Sequence, residues 1–83
     1  MHTIKQTKII SQDLIDCIKS GAEAYLDVNL VGDKDIVQAL QKMDDKKYSL
    51  TKSLERLLTF KYDASDCCNA IQIALYDDII YDL

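Results

Sequence analysis

The stretch DASDCCNAIQIALY, residues 63–76, combines a helix start with an apolar helix face. Asp63 and Asp66 stand three residues apart, in an acidic variant of the capping box that begins many helices. Apolar residues then recur at steps of three and four, the spacing of one side of an amphipathic helix. That side consists of Ala64, Cys68, Ile71, Leu75 and Ile79, with Cys67, Ala70 and Ala74 beside it. The stretch therefore predicts the last helix of the chain.

Three earlier segments have the same helical spacing. Ser11 is a candidate N-cap for a first helix. Gly32 and Asp33 mark the clearest connection, with Gly32 expected at the C′ position of one helix and Asp33 at the N-cap of the next. A polar turn follows the second helix, and Ser49 or Thr51 is expected to cap the third. The predicted apolar stripes are Leu14, Ile15, Ile18, Ala22, Tyr25 and Leu26, then Ile36, Val37, Leu40 and Met43, then Leu50, Leu54, Leu57 and Leu58.

These patterns predict an all-α fold, a small bundle of about four short helices in a single domain of 83 residues. Residues 1–10 alternate poorly and are predicted as an irregular lead-in, with a short strand or a first helical turn as the alternative. Residues 11–83 are expected to hold the helices. A chain this short buries only about 60–65% of its unfolded surface. Because 48% of its residues are hydrophobic, we expect some apolar surface to meet another copy or a partner.

The location of the protein is inferred from segments that the sequence lacks. The N-terminus has no apolar run of the length of a signal peptide, and no stretch approaches the roughly 18 apolar residues of a membrane span. We therefore expect a cytoplasmic protein with no membrane contact, in a compartment that keeps thiols reduced. The net charge of −4 argues against nucleic-acid binding, which favours a basic face.

The charges are unevenly distributed along the chain. The segment 46–61 is basic, and its cations are Lys46, Lys47, Lys52, Arg56 and Lys61. Residues 63–83 contain five aspartates and neither Lys nor Arg. This asymmetry predicts that the C-terminal part carries an acidic surface, and that segment 46–61 is either a second site or its internal counter-charge.

The chain finishes with YDDIIYDL, residues 76–83. Negative charge is unfavourable at a helix C-terminus, so its presence there needs a reason. Tyrosine beside carboxylate is typical of recognition surfaces, because tyrosine brings rigid amphipathic contact area. The predicted partner-binding residues are Tyr76, Asp77, Asp78, Tyr81 and Asp82. The alternatives are that basic side chains of segment 46–61 pair with this end, or that the last turn is not helical.

The cysteines and the single histidine predict no metal or cofactor. Three cysteines are an odd number, which argues against a disulfide framework. Zinc needs four ligands, and the only histidine is His2 in the predicted lead-in. Cys17, Cys67 and Cys68 are therefore interpreted as core residues, with a redox or metal role as the alternative. Cys67 stands near a helix start, a position that lowers the pKa of a thiol.

No motif predicts an enzyme. The stretch DVNLVGDKDIVQ, residues 27–38, resembles a calcium-binding EF-hand loop over about half its positions. Val31 stands where an oxygen ligand belongs, however, and Gln38 stands where the bidentate glutamate must be. The match of SLTK, residues 49–52, to a serine nucleophile motif lacks its companion motifs. No glycine-rich phosphate loop is present.

The sequence favours a small acidic, non-catalytic protein-binding module, such as an adaptor, an inhibitor or an immunity-type protein. It would dock through its acidic, tyrosine-rich surface on a protein partner with a basic surface. The composition, rich in Ile, Lys, Asp and Tyr, is typical of an AT-rich bacterial or phage genome. The alternatives are a homo-oligomeric regulatory or structural protein, such as a homodimer, and a weak DNA-binding regulator that uses segment 46–61.

Overall fold

A computed structural model describes residues 10–80 of the chain. This part contains four α-helices and no strand, which confirms the all-α prediction. Most of the predicted lead-in lies outside the described residues. The helices are α1 (Gln12–Ala22), α2 (Asp33–Met43), α3 (Thr51–Leu58) and α4 (Ala64–Tyr76), and a 3-10 turn (Val28–Leu30) lies between α1 and α2.

Helix α4 is the centre of the bundle. It contacts each of the other three helices, and most extensively α1 and α2. Its middle section is apolar on most sides, as expected for a helix that is surrounded by others. The residues that it buries completely or almost completely are Asp66, Cys67, Cys68, Ala70, Ile71, Gln72 and Ile73. Of the predicted apolar face, Cys68 and Ile71 are fully buried, Leu75 and Ile79 are partly buried, and Ala64 is exposed.

The remaining core comes mainly from the predicted apolar stripes of α1, α2 and α3, but it also takes Ala39 and Val31, which those stripes did not include, and Val37 of the second stripe is only partly buried. From α1 it takes Leu14, Ile15, Ile18 and Ala22, from α2 Ile36, Ala39, Leu40 and Met43, and from α3 Leu54 and Leu57. Leu50 and Leu58, which the third stripe includes, are only partly buried against this core. Burial of these side chains supplies the main driving force for folding, at roughly 25 cal/mol per Å² of apolar surface.

Helix α1 approaches α4 closely at Gly21. A Cβ atom at this position would lie 2.5 Å from Sγ and 3.0 Å from Cβ of Cys67. Glycine inside a helix costs about 1 kcal/mol relative to alanine, and here the close packing of two helices accounts for it. The helix runs through Gly21 and ends one residue later, at Ala22.

Three helix boundaries differ from the predictions. The first helix ends at Ala22, four residues before Leu26, and the side chain of Tyr25 is 60% exposed. The prediction that the helical stripe of α1 continues to Tyr25 and Leu26 is therefore wrong. Gly32 is the N-cap of α2 instead of a C′ residue, and Asp33 is the first residue of that helix. The reason is that the backbone N–H of Gly32 donates to the Asp35 carboxylate at 3.0 Å, which begins α2 one residue early.

The start of α3 also differs. Thr51 is its first helical residue, and the preceding residue, Leu50, provides no side-chain cap. Ser49 has a φ of 57°, in the left-handed region, and forms the polar turn instead of capping the helix. The tertiary contacts of α3 therefore hold this short helix in place without the predicted cap.

The start of α4 is built around the buried carboxylate of Asp66. Arg56 donates to it twice, from Nη2 to Oδ1 at 2.6 Å and from Nε to Oδ2 at 2.7 Å. The Ser53 hydroxyl donates to Oδ1 at 2.7 Å, and the backbone N–H of Asp63 donates to Oδ2 at 3.1 Å. The Asp63 carboxylate in turn accepts from the Asp66 N–H at 3.0 Å, which confirms the predicted capping box. Burial raises the pKa of Asp66, but these donors together outweigh it and lower the pKa below 3.8.

We expect Gly21→Ala to lower the free energy of unfolding by roughly 1–3 kcal/mol, because the new methyl group overlaps Cys67. Helix propensity alone predicts the opposite sign. Urea denaturation followed by circular dichroism measures the difference. Ser20→Ala, at the exposed neighbouring position, serves as the control and should change stability little. A Gly21→Ala protein more stable than the wild type would contradict the close contact between α1 and α4.

We expect Asp66→Asn to lower the free energy of unfolding at neutral pH by roughly 2–4 kcal/mol, since a buried charged acceptor is lost. Because the folded-state pKa of Asp66 is lowered, its contribution is present above the unfolded pKa near 3.8 and disappears as pH falls through the folded value. Thermal unfolding between about pH 2 and pH 7 should therefore show a shallower acid dependence for the variant. Asp13→Asn, which removes an exposed carboxylate, is the control. If the unfolding temperature of Asp66→Asn falls as steeply with decreasing pH as that of the wild type, the prediction is wrong.

Candidate functional site

The acidic end of the molecule, residues 76–80, begins where α4 stops. Tyr76 is the last helical residue, and Asp77 is the C-cap, with φ 56° and ψ 28° in the left-handed region. Its backbone N–H donates to the carbonyl of Ile73 at 3.0 Å. Aspartate is one of the few residues other than glycine that adopt this conformation readily. Of the predicted partner-binding residues, Tyr76, Asp77 and Asp78 are described, whereas Tyr81 and Asp82 lie outside the described residues.

Asp77 is held by its own chain. Its carboxylate oxygen Oδ1 accepts from Lys42 Nζ at 2.6 Å and from the Tyr48 hydroxyl at 2.9 Å. The same hydroxyl lies 2.7 Å from the Asp77 carbonyl, and Lys47 Nζ is 4.0 Å from Oδ2. The hydrogen bond from Lys42, followed by that from Tyr48, lowers the pKa of Asp77. Asp77 therefore fixes the shape of the acidic end.

This geometry explains why acid is tolerated after α4. The turn at Asp77 is not helical, and a basic side chain of segment 46–61, Lys47, lies beside it, so both alternatives from the sequence contribute. The shortest contact comes from Lys42 in the last turn of α2, which the sequence analysis missed. Lysine in the last turn of a helix is a common pattern, and nothing local indicates that it faces α4.

The residues after Asp77 fold back along α4. The N–H of Ile80 donates to Oε1 of Gln72 at 2.9 Å, and Gln72 is completely buried. Tyr76 and Ile80 are 44% and 55% exposed, and Asp78 is exposed as well. The acidic end thus presents an aromatic ring, a carboxylate and an aliphatic side chain from an anchored backbone.

A shallow hollow of about 380 Å³ lies beside α3. We call it the basic hollow, and its lining residues are Lys52, Glu55, Arg56, Thr59 and Lys61. Arg56 is shared between the hollow and the buried Asp66. Within residues 10–80, no ion pair involves Lys52 or Lys61. Segment 46–61 therefore supplies counter-charge at Lys47 and Arg56, and at the hollow it carries two lysines, Lys52 and Lys61, that form no ion pair with the described residues.

The cysteine thiols lie mostly in the core. Cys67 and Cys68 are fully buried, as predicted, whereas Cys17 is partly exposed. Burial raises the pKa of Cys67 to about 12, so the lowering expected near a helix start does not occur. A hydrogen bond to Cys17, followed by burial, raises the pKa of Tyr62 to about 12. Raised pKa values keep these groups protonated at neutral pH, and a protonated thiol is a poor nucleophile.

The acidic residues of the calcium-like stretch make structural contacts. Asp27 accepts from the N–H of Asn29 at 3.1 Å and caps the 3-10 turn. Asp33 accepts from Lys19 Nζ at 2.8 Å, and Asp35 caps α2. Among residues 10–80 no three His, Cys, Asp or Glu side chains are grouped to hold a metal ion.

In the same range, no helix combines the length and apolar character needed to cross a membrane.

We expect Asp77→Ala to release the acidic end from the bundle, because the contacts with Lys42 and Tyr48 are lost and alanine is strained at positive φ. Amide hydrogen exchange should become faster at Ile79 and Ile80, while core amides such as that of Ile71 stay protected. Asp77→Gly separates the two effects, since glycine adopts the turn without the carboxylate contacts. Unchanged protection of Ile80 in both variants would show that Gln72 alone holds the segment.

Comparison with known proteins finds no matching family model, no matching curated protein and no matching solved structure.

Proposed function

We propose that the protein is a non-catalytic protein-binding module, of the adaptor, inhibitor or immunity type, that docks on the basic surface of a partner through its acidic end. The observation that supports this most is the anchoring of the segment: Asp77 and Gln72 hold the backbone, while Tyr76, Asp78 and Ile80 are exposed. A segment that is fixed before binding loses less conformational entropy when it docks.

Each exposed side chain has a role in this interaction. The Asp78 carboxylate pairs with Lys or Arg of the partner, and Tyr76 and Ile80 supply apolar contact area around that pair. Asp77 positions the segment and does not itself contact the partner. Tyr81 and Asp82 continue the same composition in the sequence and extend the docking surface.

The DNA-binding alternative has less support from the charges. Lys47 lies near Asp77, and Arg56 is bound to Asp66, which leaves Lys46, Lys52 and Lys61 of the basic segment for phosphate contacts. Three such contacts are few for a protein with a net charge of −4, since binding to DNA depends on neutralising many phosphates. A protein partner therefore fits the surface better than a nucleic acid.

The test is a pull-down from lysate of the source organism at low and moderate salt. The baits are the wild type and the double variant Asp78→Asn, Asp82→Asn, which leaves the anchoring residue Asp77 intact. We expect a partner with a basic surface to bind the wild type and to be lost with the variant, because the carboxylates that pair with it are neutralised.

The control bait is Asp13→Asn, Glu23→Gln, which removes the same number of charges at exposed positions far along the sequence from the acidic end. Circular dichroism establishes that both variants are folded. Capture of the same proteins by all three baits would contradict docking through the acidic end.

A further inference from the structure

Phe60 occupies an unusual position after α3. The backbone N–H of Phe60 donates to the Leu57 carbonyl at 3.2 Å, and that of Lys61 donates to the Arg56 carbonyl at 2.8 Å. This is the pattern of a Schellman motif, whose C′ residue is usually glycine because its φ is positive. Phe60 has a φ of 58°, and its side chain is 52% exposed. Neither backbone conformation nor burial favours phenylalanine here.

The place of Phe60 relative to the basic hollow suggests what the ring does. Its two neighbours in sequence, Thr59 and Lys61, both line the hollow. The segment 59–61 therefore combines an exposed aromatic residue with a cation of the hollow, a composition suited to binding a segment that is both acidic and apolar. The residue that is unfavourable for stability is thus favourable for recognition.

The cations of the hollow are partly fixed before any ligand arrives. Arg56 uses Nε and Nη2 on the buried Asp66, so its guanidinium is held in one orientation while its side chain remains 44% exposed. Lys52 and Lys61 stand on either side of it in the sequence and have no ion pair within residues 10–80. Glu55 lies in the same hollow and disfavours a long polyanion, so a short acidic peptide segment suits it better.

We propose that the basic hollow binds the acidic end of a second copy of this chain. Asp78, together with Asp82 from the sequence, would pair with the lysines, and the Ile80 side chain would pack on the Phe60 ring. This inference rests on the proposed function, in which the acidic end is the docking element, and it names the partner. The two surfaces complement each other in charge and in apolar content, and both belong to the same molecule.

Docking between copies follows from where α4 places the two surfaces. Asp66, which holds Arg56, and Asp77, which begins the acidic end, are eleven residues apart on α4, or about 16 Å along its axis. Asp77 is bound to Lys42 of α2, whereas the hollow belongs to α3. The resulting contact is head-to-tail, so each copy offers one acidic end and one hollow. Association depends on concentration and weakens with salt, because exposed charges are screened.

The test is sedimentation velocity of the full chain at about 20 mM and about 300 mM salt, which changes the Debye length roughly fourfold. We expect self-association of the wild type at low salt, with at least a tenfold weaker association at the higher salt. Two charge-reversal variants, Lys52→Glu with Lys61→Glu and Asp78→Lys with Asp82→Lys, should each be monomeric.

An equimolar mixture of the two variants decides the pairing. The first variant keeps its acidic end and the second keeps its hollow, so one wild-type interface can form between them, and the mixture should associate although each variant alone is monomeric. Lys34→Glu with Lys46→Glu, which changes the charge equally at exposed positions outside the hollow, should associate like the wild type.

Phe60→Gly tests the ring without harming the fold. We expect a higher unfolding temperature, because glycine relieves the left-handed backbone, together with at least a tenfold weaker self-association. Stabilisation with unchanged association would overturn the role of Phe60 as the apolar contact.

A wild type that is monomeric at every concentration, or a mixture of the two charge variants that stays monomeric, would overturn the proposal. If the wild type is monomeric while the pull-down still depends on Asp78 and Asp82, docking between copies fails and the proposed function stands. If a different protein, or a short DNA duplex, binds the monomeric wild type and is lost with Lys52→Glu and Lys61→Glu, the hollow has another occupant and the proposal is wrong.

Discussion

The ion pair between Asp66 and Arg56 is the interaction on which the rest of the molecule depends. It joins α3 to α4 at a carboxylate that is completely buried, and a buried charge is strongly unfavourable unless it is paired. Helix α3 has only eight residues, too few to be stable alone in water, so it needs this attachment. Helix α4, once started by the capping box of Asp63 and Asp66, is the support against which α1 and α2 pack.

The two ends of α4 use aspartate in opposite electrostatic settings. At the N-terminus the helix dipole favours the carboxylates of the capping box, and both aspartates have the common role of capping a helix start. At the C-terminus the dipole opposes Asp77, so the turn there requires Lys42 and Tyr48 from elsewhere in the chain. The first arrangement fixes Arg56 at the hollow, and the second fixes the acidic end. The same helix thus orders both surfaces that we consider functional.

The sequence predicted those features that depend on neighbours close along the chain. The four helices and the acidic capping box follow from spacing and from residue types within one or two turns. The pairs Lys42 with Asp77 and Gly21 with Cys67 join residues far apart in the sequence, so no local pattern reveals them. Tyr25 continued the helical spacing of α1, but the chain turns away after Ala22 and leaves it exposed. Tyr76 and Asp78 were predicted as partner-binding residues from composition, and this stays a prediction, whereas the anchoring role of Asp77 required the three-dimensional contacts.

The positive φ angle of Phe60 points to a role in binding that composition alone does not indicate. Three residues other than glycine have positive φ, namely Ser49, Phe60 and Asp77, among the residues that the structure describes. Asp77 is compensated by the hydrogen bonds of its carboxylate, and serine at the first of these positions lies in a polar turn. Phe60 receives no such compensation from burial, since half of its side chain faces solvent. Backbone strain that the fold does not require is expected where binding selects the residue, and Phe60, whose neighbours in sequence Thr59 and Lys61 line the basic hollow, is at such a place.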